Sequence, residues 1–152
     1  GQDTKGIVLK RGRVMRFIMN DKCSAGTGRF LEVMGNTMAL KPQDVCELAR
    51  NGKGVTISSM CTVFAESEVI SLIGKGESKE NIAYGIVESI ANKVTSQASR
   101  MGALNDIFLS GGLCECDFLR EKLEELLGKN IETSKDARFA GAIGAAALAK
   151  KL

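Results

Sequence analysis

Two cysteines occupy the same kind of place in this sequence. Cys23 closes a β-rich run and precedes Ser24-Ala25-Gly26-Thr27-Gly28, a glycine-rich turn that opens a helical pattern. Cys61 follows the strand-like Val55-Thr56-Ile57-Ser58-Ser59 and precedes a second helical pattern, with Thr62 as its candidate cap. At a helix start the backbone N–H groups lack intrahelical partners, and the dipole presents its positive end. Thiolates placed there suit an anionic ligand, a metal or a cluster. If both junctions lie at one edge of a sheet, both sulfurs face one spot. An iron–sulfur site usually takes four thiolates, and the sequence has no histidine to complete a set. A two-fold homodimer giving two cysteines per chain would close such a site on an isologous interface. A tetrahedral zinc shared by a dimer, or two buried cysteines that bind nothing, are the alternatives at this stage.

Other residues carry weaker signals. Asp106-Ile107-Phe108-Leu109-Ser110-Gly111-Gly112 reads as a buried strand ending in a Gly-Gly turn, where a flat ligand can approach backbone with no Cβ in the way. The Gly26-Thr27-Gly28 turn has the character of a phosphate cradle. Cys114 and Cys116 are spaced for neither a redox CxxC pair nor a zinc knuckle, and Cys46 falls on the apolar side of its helix, so all three read as structural. Five cysteines, an odd number with no secretion signal, argue against a disulfide framework. Glu66 and Glu68, near a helix start, read as partners of the helix dipole.

The elements that must position these groups follow from periodicity and punctuation. Residues 4–10 and 14–20 are β-rich and flank Arg11-Gly12-Arg13, a hairpin signal. A helix follows Gly28, and Pro42 opens a second, short one. A third helix starts after Cys61, and residues 78–101 form a long amphipathic one, with Ile82, Ile86, Ile90 and Val94 at near-four spacing. Asp117 caps a helix that Gly128 stops, residues 131–134 read as a short strand, and the Ala- and Gly-rich stretch 139–152 as a helix able to pack closely on a sheet. The mixture predicts an α/β layer structure, one domain over residues 1–152. At 152 residues, 44% hydrophobic and 26% charged, a sizeable core is affordable. The net charge of +3 is dispersed, so neither a nucleic-acid nor a membrane partner is indicated, and a cytoplasmic location is the default. The opening directly on a hairpin predicts a piece of a longer protein.

The stretches NDKCSAGTGRFLE and CTVFAESEVIS resemble the activator ATPases of the 2-hydroxyglutaryl-CoA dehydratase and benzoyl-CoA reductase systems. The opening GQDTK, the FLSGG turn and the terminal FAGAIGAAALA agree with that family in the same order. The resemblance implies one lobe of the actin-like, ribonuclease H-like ATPase fold, a mixed sheet flanked by helices, here the C-terminal lobe without its N-terminal one. It assigns Cys23 and Cys61 to a single [4Fe–4S] cluster on a homodimer axis. It places Gln2 and Asp3 in the catalytic handling of phosphates and Mg²⁺, and Gly111 and Gly112 in the adenosine motif. Gly26, Thr27 and Gly28 fall beside the nucleotide. ATP or ADP would change the angle between the cluster-flanking helices. A low-potential electron, received from reduced ferredoxin or flavodoxin, would then pass to a 2-hydroxyacyl-CoA dehydratase or related reductase. The family's first phosphate motif has no counterpart here, so complete ATPase activity is not expected of this chain alone. A metal-free nucleotide-binding or sugar-kinase-like lobe, and a non-catalytic dimerisation module, are the competing readings.

Overall fold

Left-handed backbone at Arg11 (φ 51°) and Gly12 (φ 74°) turns Lys5–Lys10 (β1) back on Arg13–Met19 (β2), an antiparallel hairpin with Lys10 opposite Arg13. Two positive φ values are what a two-residue hairpin turn of matching twist requires. The computed structural model describes residues 1–20, 23–58, 61–102 and 105–150. Its remaining strands, Ile107–Phe108 (β3) and Ile131–Glu132 (β4), pair in parallel. Among the described residues six α-helices follow the hairpin: Gly28–Thr37 (α1), Pro42–Ala49 (α2), Thr62–Gly74 (α3), Lys79–Ser99 (α4), Asp117–Leu127 (α5) and Ala140–Ala149 (α6).

Helix α4 is the spine. Its Ile82, Ile86 and Ile90 are at most 1% exposed and meet Phe30 and Met34 of α1, Val45 of α2, Val69 of α3, and Leu119 and Leu123 of α5. Burying side chains of this size contributes about 1.5–3 kcal/mol each, so this cluster holds the helices together. The core is thus helix on helix.

Several expectations are corrected here. The α/β character stands, but among the described residues the expected mixed sheet is two two-stranded sheets, one antiparallel and one parallel, with a cleft of about 390 Å³ between them, lined by Gly6 and Ile7, Ile107 and Leu109, and Val94 and Met101. Residues 55–58 form no strand; Ser59 lies outside the described residues, as do Asp21, Lys22, Ser59's neighbour Met60 and Lys151 and Leu152. The Val55 carbonyl and Ile57 lie so close to α4 that a Cβ on Gly85 would come within 2.8 and 3.3 Å of them, so this segment packs on a helix instead of pairing. Phe108 is 57% exposed, not buried. Helix α6 is exposed along its whole length and packs chiefly on the short 3-10 turn Ala137–Phe139 that leads into it, not on a sheet. Thr62 and Asp117 are first helical residues; Cys61 and Cys116 hold the N-cap positions.

Candidate functional site

The two cysteine junctions meet. Ser24, which follows Cys23, and Thr62, which follows Cys61, share a hydrogen bond of 2.7 Å between their hydroxyls. Both cysteines are exposed. Cys61 is the N-cap residue of α3 but makes no side-chain capping bond, and the Sγ of Cys23 accepts from the Ala25 N–H at 3.5 Å. Among the described residues no group of three or more His, Cys, Asp or Glu is arranged to hold a metal.

The turn after Cys23 is fixed from within. Gly26 is left-handed (φ 78°), and a Cβ there would come within 2.6 Å of Lys93 Cγ. Thr27 is 0% exposed. Its hydroxyl donates to the Ser24 carbonyl and accepts from the Phe30 N–H at 3.4 Å, which caps α1. Gly26 and Thr27 are therefore buried supports, whereas Gly28 is half-buried and lines the larger cleft. The anticipated open N–H groups at this helix start are partly occupied, since Arg29 N–H donates to the Gly1 carbonyl at 2.9 Å.

Gln2 and Asp3 lie exposed beside that helix start, and one side chain ties them to the cysteine loop. Asn20 Oδ1 accepts from the Thr4 N–H at 2.7 Å, while Asn20 Nδ2 donates to the Gln2 carbonyl at 3.3 Å and to the Cys23 carbonyl at 2.9 Å. Thr4 adds a 2.7 Å bond from its hydroxyl to the Gly26 carbonyl. A displacement of residues 2–4 thus reaches the residue that carries the sulfur.

Gly111 is left-handed (φ 84°) and begins the 3-10 turn Gly112–Glu115; a Cβ on either glycine would meet nothing within 4 Å. No neighbouring atom demands glycine at 112, and the turn presents bare backbone. Gly112 lines both the 390 Å³ cleft, which also holds Gly1, Asp3 and Gly28, and a second cavity of about 230 Å³ between α2 and α5. Arg50 and Phe118 line that smaller cavity. Arg50 also forks onto Glu121 at 2.9 and 2.8 Å, which raises the guanidinium and holds the Glu121 carboxyl below the ordinary carboxylate range through the hydrogen bond Arg50 donates.

Sequence reasoning missed three features. Cys46 and Cys116, read as structural singles, are joined in a disulfide; a bond across 70 residues leaves no trace in local spacing. Glu66 and Glu68 do not serve the helix dipole alone. Glu66 accepts from the Thr37 hydroxyl of α1 at 3.1 Å, and Glu68 accepts from the Ser58 N–H at 3.1 and 3.2 Å, steadying the segment that leads to Cys61. Asn20 was visible as the first residue of a motif, but its three backbone partners were not. Among the described residues no helix is long and apolar enough to cross a membrane.

Residues 1–149 match the sequence profile of the BadF/BadG/BcrA/BcrD ATPase family. The chain is 49% identical over 152 residues to the (R)-2-hydroxyglutaryl-CoA dehydratase activating ATPase of Acidaminococcus fermentans, covering 99% of this chain and 58% of that protein. It is 38% identical over 148 residues to the 2-hydroxyisocaproyl-CoA dehydratase activator of Clostridioides difficile, covering 96% and 56%. The solved structure of the Acidaminococcus fermentans dehydratase component A superposes with a TM-score of 0.90 at 48% identity, over 95% of this chain and 56% of that one. The Clostridium difficile activator with bound ADPNP does so with a TM-score of 0.90 at 37% identity, over 95% and 55%. The chain therefore spans between half and three-fifths of the length of these relatives, and its fold is the α/β lobe they share.

Proposed function

The chain belongs to the BadF/BadG/BcrA/BcrD ATPase family, and from that premise we propose that it is the cluster-carrying lobe of an ATP-dependent activator of a 2-hydroxyacyl-CoA dehydratase or related reductase. The observation that carries this reading is the 2.7 Å contact between Ser24 and Thr62, which brings two exposed cysteines to one place at two helix starts. The donor set fits an iron–sulfur cluster: two soft thiol ligands, both exposed, to which a second copy would add two more. Val63 and Phe64, 66% and 67% exposed beside Cys61, give that copy an apolar surface to bury. Cys23 and Cys61 of two chains would hold a [4Fe–4S] cluster, which would supply one-electron chemistry at low potential with reduced ferredoxin or flavodoxin as the donor.

For the nucleotide, the supporting feature is that Gly112 and Leu113 line both cavities, which therefore lie side by side. An adenosine group would occupy the smaller cavity against Phe118 and Arg50 and pass Gly111 and Gly112. Its phosphates and Mg²⁺ would reach Gln2, Asp3 and Gly28, with Gly26 and Thr27 holding the turn behind. Asn20 then transmits the state of residues 2–4 to Cys23. The chain as it stands is read as one C-terminal lobe, with the other half of the ATP site contributed by a partner lobe.

The test is anaerobic reconstitution with iron and sulfide. The reading expects visible charge-transfer absorption and about four irons per two chains, both lost in Cys23→Ser and in Cys61→Ser. Nucleotide binding with no iron uptake at accessible cysteines would favour a metal-free lobe, and a stable dimer binding neither would favour a dimerisation module.

A further inference from the structure

Neither the cluster reading nor the nucleotide reading uses Cys46 and Cys116. Their sulfurs are bonded and their Cα atoms are 5.6 Å apart, inside the ordinary span for a disulfide. Cys46 belongs to α2, and Cys116 is the N-cap residue of α5. The bond joins the two walls of the 230 Å³ cavity, with Pro42, Glu47 and Arg50 on one side and Gly112, Leu113 and Phe118 on the other. Arg50–Glu121 also ties these helices, but with side chains 51% and 44% exposed it is a weak, salt-screened tie. The covalent bond is therefore the stiff connection across this cavity. Cys116 is only 3% exposed whereas Cys46 is half-buried at the cavity wall, so a small reagent reaches the α2 sulfur first.

We propose that Cys46 and Cys116 are a reversible thiol–disulfide pair that sets the spacing of α2 and α5, and with it the affinity of the nucleoside cavity. This rests on reading that cavity as the nucleoside site. The co-reactant is a low-molecular-weight disulfide. The Cys46 thiolate attacks one of its sulfurs and expels one small thiolate; the Cys116 thiolate then attacks the Cys46 sulfur and expels the second. Two protein thiols lose two electrons and two protons, which leave on two small thiols, and an excess of small thiol reverses the exchange. With the bridge closed the walls are preorganised, and a ligand that fills the cavity orders less of the protein on binding.

The experiment equilibrates the chain anaerobically in glutathione buffers of graded ratio. Alkylation with peptide mapping reads the bridge, and a fluorescent ADP derivative reads the cavity. Cys46 and Cys116 should be labelled in reducing buffer and protected in oxidising buffer. The bridged form should bind the ADP derivative about three- to tenfold more tightly, and Cys46→Ser should show the weaker affinity at every ratio. A bridge that never forms, or one that forms without changing affinity, overturns the proposal. If no form binds the ADP derivative, the nucleotide reading fails, and amide exchange in α2 and the first turn of α5 decides the pair separately. Exchange slowed by the bridge upholds the lock between the helices; exchange indifferent to it sinks the lock too.

Discussion

Replacing Thr27 by valine isolates the hydroxyl that holds the Cys23 loop to α1. Valine has the same shape, and the residue's extended backbone (φ −122°, ψ 167°) suits a β-branched side chain, so neither a cavity nor strain enters. Two hydrogen bonds disappear. The Phe30 N–H loses its cap, which costs about 1 kcal/mol. The bond donated to the Ser24 carbonyl adds about another 1 kcal/mol. That carbonyl keeps the Thr27 N–H at 3.1 Å, so it is not orphaned, whereas the buried Phe30 N–H loses its side-chain acceptor, which makes the sum of the two a lower bound. The sum, about 2 kcal/mol, lowers the folding constant roughly 30-fold. Thr27→Ser keeps both bonds and gives up one buried methyl, about 0.8 kcal/mol. Urea unfolding followed by circular dichroism should therefore rank wild type above Thr27→Ser above Thr27→Val, and iron uptake on reconstitution should fall in the same order. A valine variant as stable as wild type would show that the methyl, not the hydroxyl, fixes this turn, and the account of the loop would be wrong.

Asn20→Ala removes the three backbone contacts that join residues 2–4 to Cys23; the reconstituted variant should still take up iron, but ADP and ATP should no longer change its cluster spectrum. Gly111→Ala meets no atom but forces alanine to φ 84°, so it should lose about 1–2 kcal/mol in thermal unfolding and bind ADP more weakly. Glu121 is held below its ordinary value of 4.5 in the folded chain, so its contribution is present above that pH and is lost as the pH falls through the folded value. The melting temperature of Glu121→Gln should accordingly lie slightly below wild type at pH 7 and merge with it in acid, and a constant gap across that range would refute the pairing with Arg50.

The helices were legible because each carries its own signature. The fourfold spacing of Ile82, Ile86 and Ile90, Pro42 at the start of α2 and left-handed Gly128 at the end of α5 (φ 62°) are local facts that tertiary contacts did not override. Strands were less legible because pairing is not local. Val55 to Ile57 has β-forming residues, but its neighbour is α4, and no sequence pattern says which surface a segment will face. The same limit applied to the site. Cys23 and Cys61 could be picked out by their identical settings, while the Ser24–Thr62 contact that unites them, the Asn20 linkage and the Cys46–Cys116 bond all join residues distant in sequence or in partner type.

Besides apolar packing, two side-chain hydrogen bonds among the described residues join α1 and the loop before it to α3, and their positions bear on what can move. The Ser24–Thr62 bond lies at the sulfur-bearing ends, and the Thr37–Glu66 bond lies at the far end of α1. From Gly28 to Thr37 the axis advances about 13 Å, at 1.5 Å per residue. A pivot of roughly 10° about the cysteine end would shift Thr37 by about 2 Å, too far for a hydrogen bond of 3.1 Å to survive. The same pivot leaves Ser24 and Thr62 nearly in place. A change in helix angle about that end therefore opens the Thr37–Glu66 contact before the Ser24–Thr62 contact. The thiol pair can keep its geometry while the helices behind it turn, which is the property that a ligand set needs if nucleotide-driven motion is to pass it without tearing it apart.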